Sequence, residues 1–410
     1  MRPVGSELRE KVRAAPGVER LLATLEGLPP AYLVGGMPRD LLRGVPALDL
    51  DVAVEGDGVT AAQEIARRLG GTVVRHERFG TATVTADRVV IDVASTRTEL
   101  YVEPGALPRV RWSSLREDLA RRDFSVNAMA IGLSGDQLGR LHDPHGGVAD
   151  IQSKLIRVLH ERSFTDDPTR LLRAVRYSAR LDFALDFETE RQALAAIDEG
   201  AVLTVSGPRI RDELLRLLGE VDAAKAVQRL HGLGLDQALH PELRADPDLV
   251  ASAELGALET AADRVLAGLA ALVTADSLSL AVWIDRLQVI GSQRDTVVGA
   301  ARAAPEIAAA LRLRERRPSE LAALLRGESP ETLALALGMG APAAPILDWV
   351  RHLSLVRLEI TGDDLRAAGV SESPALGRAL ATTLDRKLDG EIAGREEELR
   401  SALEAAGAPR

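Results

Sequence analysis

The run GGMPRDLLRGVPALDLDVAV, residues 35–54, decides how the rest of the chain reads. Gly35 and Gly36 interrupt an apolar stretch, a short helical pattern follows, and Gly44 and Pro46 close it before a second apolar stretch opens. That order is strand, tight turn, short helix, loop, strand. Asp49 and Asp51 stand two apart at the start of the second strand, so the pleat aims both carboxylates at one face. Two like charges on an apolar-flanked strand are costly unless a cation lies between them. A pair of Mg²⁺ ions would neutralise them while gripping a triphosphate. An isolated D-x-D more often faces solvent on an edge strand, but here its company favours the metal. Gly35 and Gly36 let backbone approach a phosphate, Pro38 suits the first helical position, and the helix N-terminus offers free amides to anionic oxygens. Arg39 would add a charge to that cradle. No Lys-Ser or Lys-Thr pair follows the glycines, which excludes a Walker P-loop.

Outward from this run, residues 31 to about 147 hold most of the β-branched alternation and its punctuating glycines. The pattern predicts strands at Ala31 to Val34, Asp49 to Val54, Thr72 to Val74, Thr81 to Thr85 and Val89 to Ala94, with a helix at Thr60 to Leu69. Asp92, mid-strand in VVIDVAST, is a candidate third carboxylate that would deprotonate an attacking hydroxyl or complete a metal shell. An outward-facing strand aspartate is an equal reading. Leu100 to Arg116, with Pro104, Gly105 and Pro108, reads as a surface loop, a moving element being the rarer alternative. From about residue 148 the apolar spacing becomes 3.6-fold and strand signals vanish, so the remaining two thirds should be helical. The fold class is therefore α+β: a small mixed sheet with helices, then an all-helical C-terminal region. Breaks are suggested by SGP at 206–208, ERRP at 315–318 and GAPAAP at 341–346.

Two cation-rich stretches lie on this frame. LREDLARRDFSVNAMAI, Leu115 to Ile131, sets Arg121, Arg122 and Asp123 ahead of an apolar run. Such a trio is commonly a solvated helix end with its own salt bridge, yet a triphosphate would need such cations. FTDDPTRLLRAVRYSARLDF, Phe164 to Phe183, places Asp167 as N-cap and Pro168 at the first helical position. Arg170, Arg173, Arg176 and Arg180 share one side of that helix, with Leu171, Leu172, Val175 and Ala179 opposite. An ordinary amphipathic surface helix is the plainer reading. With only Asp166, Asp167 and Asp182 near in sequence, however, the arginines would repel one another and favour an anion such as a nucleotide or an RNA backbone.

The bulk numbers narrow the classes. At 410 residues and 46% hydrophobic, the chain has material for several packed domains. A net charge of -10 argues against a uniformly basic nucleic-acid coat and confines any RNA contact to local clusters. The absence of cysteine excludes disulfides, a thiolate zinc site and a Cys nucleophile, and fits a reducing cytoplasm. MRPVGSELREKVR has no apolar stretch, and the longest apolar run, Val265 to Ala275, is too short to span a bilayer, so neither secretion nor membrane insertion is expected.

Together these stretches resemble the bacterial, class II branch of the tRNA nucleotidyltransferase and poly(A) polymerase family, whose head domain has the DNA polymerase β type fold. The resemblance rests, in family order, on GGMPRDLLRGVPALDLD, HERFGTATV, RRDFSVNAMAI, HDPHGG, DDPTRLLRAVRYSARLDF and SGPRIRDELLRLL. It extends to LEITGDDLRAAGVSESPALGRAL, Leu358 to Leu380, with a looser match from about 220 to 350. Met37 and Pro38 replace a small residue and Val, and Asp166 and Pro208 each stand where Glu is common; none removes a proposed metal ligand or base reader. His142 and Asp143, the only adjacent His-Asp pair, lie in the HDPHGG loop rather than in a phosphohydrolase motif. The resemblance implies a catalytic head over 1–147, a nucleotide-selecting helical neck over 148–218, a helical body over 219–340 and a tRNA-binding tail over 341–410.

It also implies that Asp49 and Asp51 hold two Mg²⁺ ions, that Gly36 and Arg39 meet the incoming nucleotide, and that Arg122, Asp167, Arg170, Arg173 and Arg176 are further nucleotide-binding positions. Asp167 and Arg170 resemble the pair that reads the base without a template. C and A each present an exocyclic amine that a carboxylate can accept, beside an unprotonated ring nitrogen to which Arg can donate. U and G present the reverse, leaving polar groups unpaired at roughly 1–3 kcal/mol each. The implied reaction is attack of an RNA 3′-hydroxyl on the α-phosphorus of CTP or ATP with loss of pyrophosphate. Arg39 and Arg122 are candidate partners for the triphosphate charge. The helical half would hold the tRNA acceptor arm by shape and phosphate contacts, and no stable protein partner is implied. Full CCA, CC-only, A-only and poly(A) addition share these motifs. A small-molecule nucleotidyltransferase would leave the Asp167 to Arg180 helix unexplained, and a non-catalytic RNA-binding module would be expected to lose Asp49 and Asp51.

Overall fold

The computed structural model describes residues 4–46, 49–76, 80–87, 89–274 and 278–407, so Ala47 and Leu48 of the aspartate run and Glu77 to Phe79 of HERFGTATV lie outside the described residues. The chain forms two compact units, Met1–Asp222 with Gly232–Leu239, and Ala223–His231 with His240–Arg410.

In the first unit the alternation produces β1 (Ala31–Leu33), β2 (Leu50–Val54), β3 (Thr72–His76), β4 (Thr81–Ala86) and β5 (Val89–Ser95), within a residue or two of expectation. Four short strands were not legible: the hairpin arms β6 (Arg97–Leu100) and β7 (Arg109–Trp112), then β8 (Ala130–Gly132) and β9 (Leu141–His142). The stretch read as a surface loop is thus largely this hairpin, and its arms are too short and too polar to alternate visibly. The main sheet runs β3-β4-β5-β2-β1-β8-β9, with β2 and β5 parallel and all other neighbours antiparallel. A two-residue parallel pair, Leu155–Ile156 with Ala184–Leu185, is a second departure from the all-helical expectation.

Helices cover the sheet: α1 (Val4–Ala14), α2 (Val18–Leu22), α3 (Gly36–Arg43), α4 (Gly58–Leu69) and α5 (Leu115–Ala120). Helix α4 starts two residues earlier than expected because Asp57 caps it, accepting from the amides of Val59 at 3.0 Å and Thr60 at 3.2 Å. Val52 and Val54 of β2, Ile91 and Val93 of β5 and Val84 of β4 point to one face, where Leu8, Val12, Leu21 and Ile65 bury them. The opposite face carries Tyr32, Val34, Ala53 and Ala130 under Leu115 and Leu119 of α5. A period of two therefore sends Asp51 and Asp92 to this second face, away from the main core. Five further helices complete the first unit's motif regions: α6 (Gly147–Ser153), α7 (Ser163–Asp166), α8 (Thr169–Leu181), α9 (Phe187–Asp198) and α10 (Gly207–Leu218).

The second unit is helical throughout its described residues. Helices Pro247–Thr260 and Pro330–Gly338 lie backbone to backbone: a Cβ on Gly256 would sit 2.4 Å from the Ala334 carbonyl oxygen, and one on Gly338 2.9 Å from the Ala253 amide nitrogen. Near the C-terminus, Ile360, Leu365 and Ala402 form a small core, and the fully buried Glu398 meets Lys387 at 2.6 Å and the Glu359 amide at 2.6 Å. Among the described residues no helix is long and apolar enough to cross a membrane.

Two glycine-to-alanine changes should act in opposite directions in the second unit. Gly256→Ala must push its Cβ into the Ala334 backbone and is expected to cost about 1–3 kcal/mol. Gly299→Ala, in the helix Gly291–Leu313 with open space around the added Cβ, should stabilise by about 0.5–1 kcal/mol. Urea unfolding of the full chain checks both; equal effects would refute the close-contact account.

Candidate active site

The site begins where Gly35 turns the chain out of β1. Its φ of 71° lies in the region that favours glycine, and a Cβ there would stand 2.7 Å from Asp51 Oδ2, so only glycine leaves room for the carboxylate. Helix α3 starts at Gly36 rather than at Pro38, which occupies the third helical position. Proline is tolerated there because the amides of the first turn have no intrahelical acceptor. Asp49 precedes β2 by one residue and is exposed. Asp51 pairs in register with Asp92 across the parallel β2–β5 contact, and Asp92 Oδ1 accepts from the Thr83 hydroxyl at 2.6 Å. Burial, then the neighbouring Asp92, push the Asp51 carboxyl up to about 6, with Asp49 adding to the rise and Arg122 opposing it. Asp92 is thus exposed on the same face as Asp51, paired in register with it.

Two cavities open on this face and share Asp51 and Arg122. One, of about 460 Å³, is lined by Asp92, Thr83, Thr81 and His76 with Val34 and Ala94, along strand positions Val52, Ala82 and Val93 whose side chains point to the opposite face. The other, of about 370 Å³, is polar and is bounded by Gly35 and Gly36, by Arg121, Arg122, Arg170 and Arg173, by Asp51, Glu99, Asp123 and Asp167, and by Tyr177. Arg121 and Arg122 are aimed by Asp118, which they contact at 2.7 and 2.8 Å. Burial pushes the Asp118 carboxyl up, but the two guanidiniums outweigh it and hold it below the usual range.

Asp167 is held through one oxygen. Its Oδ1 accepts from the Thr169 hydroxyl at 2.6 Å, the Thr169 amide at 3.2 Å and Arg209 Nη2 at 2.7 Å, while no hydrogen bond engages Oδ2 among the described residues. Helix α8 itself starts at Thr169, so Asp167 and Pro168 stand one residue further out than expected, and Asp167 still caps the first turn. Arg170, 4% exposed, donates to Ser163 Oγ and to the Arg121 carbonyl, each at 2.7 Å. Arg209 also donates to the Gly105 carbonyl at 2.8 Å, tying the tip of the β6–β7 hairpin to α10.

The arginine side of α8 is not the open cationic stripe that its sequence suggests. Arg173 pairs with Asp123 at 2.5 Å, Arg176 with Glu213 at 3.1 Å, and Arg180 with Glu220 at 2.8 Å. Carboxylates distant in sequence neutralise it, and local spacing could not reveal them. Asp123 is held below the usual carboxylate range because Arg173 outweighs its burial. Arg176 is 5% exposed and lines neither cavity, so the structure does not place it as a direct nucleotide contact. Arg39 likewise is 4% exposed, donating to Asn127 at 2.6 Å and to Asp40 at 2.8 Å, behind Gly36 rather than on a cavity wall. Tyr177 was missed: its ring has the guanidiniums of Arg39, Arg173, Arg176 and Arg180 at 4.8–5.9 Å. As the one aromatic within the arginine run it could have been flagged. Asn127, Arg209, Thr83 and His76 were also outside the expected site, and the pairing of Arg209 with Asp167, 42 positions apart, carries no local signal.

The oxygen donors suit Mg²⁺. Asp49, Asp51 and Asp92 are hard ligands, and the Asp51 carboxyl is raised first by burial and then by the neighbouring Asp92 charge. Among the described residues no three such groups come together as a metal-holding cluster.

The fold and this face define a nucleotidyltransferase head with a helical extension. Family profiles described as "Poly A polymerase head domain" and "Probable RNA and SrmB- binding site of polymerase A" match residues 31–157 and 182–246. An A-adding tRNA nucleotidyltransferase of Geobacter sulfurreducens is 36% identical over 92% of the chain and 45% of its own length. A CC-adding tRNA nucleotidyltransferase of Deinococcus radiodurans is 32% identical over 91% of the chain and 88% of its length. Among solved structures, a CCA-adding enzyme of Thermotoga maritima complexed with tRNA superposes with a TM-score of 0.77 at 30% identity, covering 98% of each chain. The chain belongs to the tRNA nucleotidyltransferase and poly(A) polymerase family. It spans less than half the length of the A-adding relatives it matches.

Because Asp51 titrates near 6, a protonated Asp51 competes with the metal at lower pH. Mg²⁺ affinity should therefore rise from pH 5 to 7 with proton release, and Asp51→Asn should abolish that dependence. Isothermal titration in two buffers of different ionisation enthalpy reads both; a pH-independent wild type would refute the assignment.

Proposed function

We propose that this chain adds nucleotides from CTP or ATP to the 3′ end of tRNA without a template, and that AMP is among those it adds. The observation that carries the reading is Asp167: anchored through Oδ1, it leaves Oδ2 free beside the buried Arg170, in a cavity that shares Asp51 with the acidic face. The free oxygen would accept the exocyclic amine of C or A, and Arg170 would donate to the adjacent ring nitrogen. Arg121, Arg122 and Arg173 supply positive charge toward a triphosphate, with the Gly35–Gly36 backbone against it. Arg39 and Arg176 would act from behind, holding the Gly36 turn and α8 in place.

Asp49 and Asp51 would hold the Mg²⁺ ions, which when bound supply Lewis-acid activation of the hydroxyl and stabilisation of the leaving pyrophosphate. Asp92, oriented by Thr83, stands where it would take the proton of the attacking 3′-hydroxyl. The head over 1–147, neck over 148–218, body over 219–340 and tRNA-binding tail over 341–410 are the proposed division of labour. Addition of A is common to the A-adding and CCA-adding relatives, which supports AMP as a product. CC-only addition is the second reading, favoured by the near full-length likeness to the Deinococcus relative.

The test offers each NTP singly, with Mg²⁺, to tRNA transcripts ending before CCA, after C and after CC, and sequences the 3′ ends. Incorporation of A after CC is expected; C alone supports the second reading, and no incorporation refutes both. Asp167→Asn presents an amide donor to the base, so UTP or GTP use relative to ATP should rise by about 10- to 100-fold. Unchanged selectivity would remove Asp167 as the base reader.

A further inference from the structure

We propose that His76 positions the acceptor strand, by stacking its imidazole on the 3′-terminal base within the cavity of about 460 Å³ beside Asp51 and Asp92. This rests on the nucleotidyl-transfer reading above. The two cavities meet at Asp51 and Arg122, as a reaction joining two molecules at one metal centre requires. Their linings sort the substrates. One cavity holds four arginines matched by four carboxylates, and the cations a triphosphate needs lie there; the other has two aspartates against one arginine and is the less suited to a triphosphate. A neutral nucleoside fits there, with its hydroxyl toward the carboxylates.

Register sets the span. His76 lies directly opposite Thr81 and Thr81 opposite Ala94, so all three point to the face of Asp92. Thr83, two residues on, lies opposite Asp92 itself. His76 is thus one pleat repeat, about 7 Å, along the strands from Asp92 and two strand spacings, about 10 Å, across them. That separation suits one nucleotide, base at His76 and 3′-hydroxyl at Asp92. His76 is exposed, and among the described residues no hydrogen bond or ion pair engages its ring, which leaves its faces available. Imidazole is among the rings on which unstacked RNA bases are held.

The experiment compares wild type, His76→Ala and His76→Phe, each exposed-site variant being free of core disruption. Steady-state kinetics on tRNA ending in CC should show KM for the RNA raised of the order of tenfold in His76→Ala, KM for ATP within about twofold of wild type, and most of the loss restored in His76→Phe. Binding is read separately, without Mg²⁺ or nucleotide, by quenching of pyrrolocytidine placed as the last acceptor nucleotide. Quenching by wild type and His76→Phe but not by His76→Ala is expected, and the same probe three nucleotides inward should not respond. Normal turnover with His76-independent quenching and an unchanged RNA KM overturns the stacking assignment alone. His76-dependent quenching with no turnover by wild type upholds it while removing the proposed function. An effect on KM for ATP instead of RNA would also overturn it.

Discussion

The confrontation of Asp51 with Asp92 is the constraint on which the rest of this face depends. Parallel pairing of β2 and β5 brings the two carboxylates into register, Asp51 half-buried and Asp92 exposed on the same face. A fold that tolerates this must compensate nearby. Arg122 does so in part, and it can approach because α5 ends beside β2 with Asp118 aiming the guanidinium. Gly35 is the other concession, since any side chain there would occupy the space of the Asp51 oxygen. The residual negative charge is what a divalent cation would neutralise, so the cost in the metal-free chain and the affinity for metal have one origin.

A different balance governs the arginine side of α8. There the positive charges exceed what Asp167 alone could offset, and Asp123, Glu213 and Glu220 arrive from distant segments to pair with Arg173, Arg176 and Arg180. Buried ion pairs of this kind contribute little net stability, because desolvation consumes most of the attraction, but removing one partner is costly. Their effect is to hold α8 and α10 in a single arrangement around Tyr177, whose ring is approached by four guanidiniums. Arg170 and Asp167 at the start of α8 are thereby delivered to the cavity wall with little freedom.

What the sequence made legible was what period and punctuation encode. The five longer strands, the Gly35–Gly36 turn, the aspartate pair and the capped start of α8 all follow from alternation, glycine and local capping. Strands of two to four residues, such as β8 and β9, are too short to show a period, and the β6–β7 arms place Arg, Thr and Glu where alternation would be sought. Arg176 reads as an open cation because its neutralising partners Glu213 and Glu220 are distant in sequence, whereas Arg39 pairs with the adjacent Asp40 and is buried with a hydrogen bond to Asn127, 88 positions away. Sequence spacing places a guanidinium on a helix face but says nothing of what the fold sets against it.

The separation between Asp51 and Asp167 has its own logic. A carboxylate that reads a base must stay ionised and unmetallated, whereas one that holds Mg²⁺ gains from crowding with its own kind. Asp167 escapes the crowding: Arg209 and Thr169 take its Oδ1, and Arg170 lines the same cavity. On the proposed function, selection of the base and activation of the phosphate would occupy one cavity without competing for one ion. The hairpin tip shares this arrangement, since the guanidinium that secures Asp167 also donates to the Gly105 carbonyl. Displacement of either partner would leave Arg209 half unpaired, so the position of the Asp167 carboxylate is coupled through a single side chain to the β6–β7 hairpin.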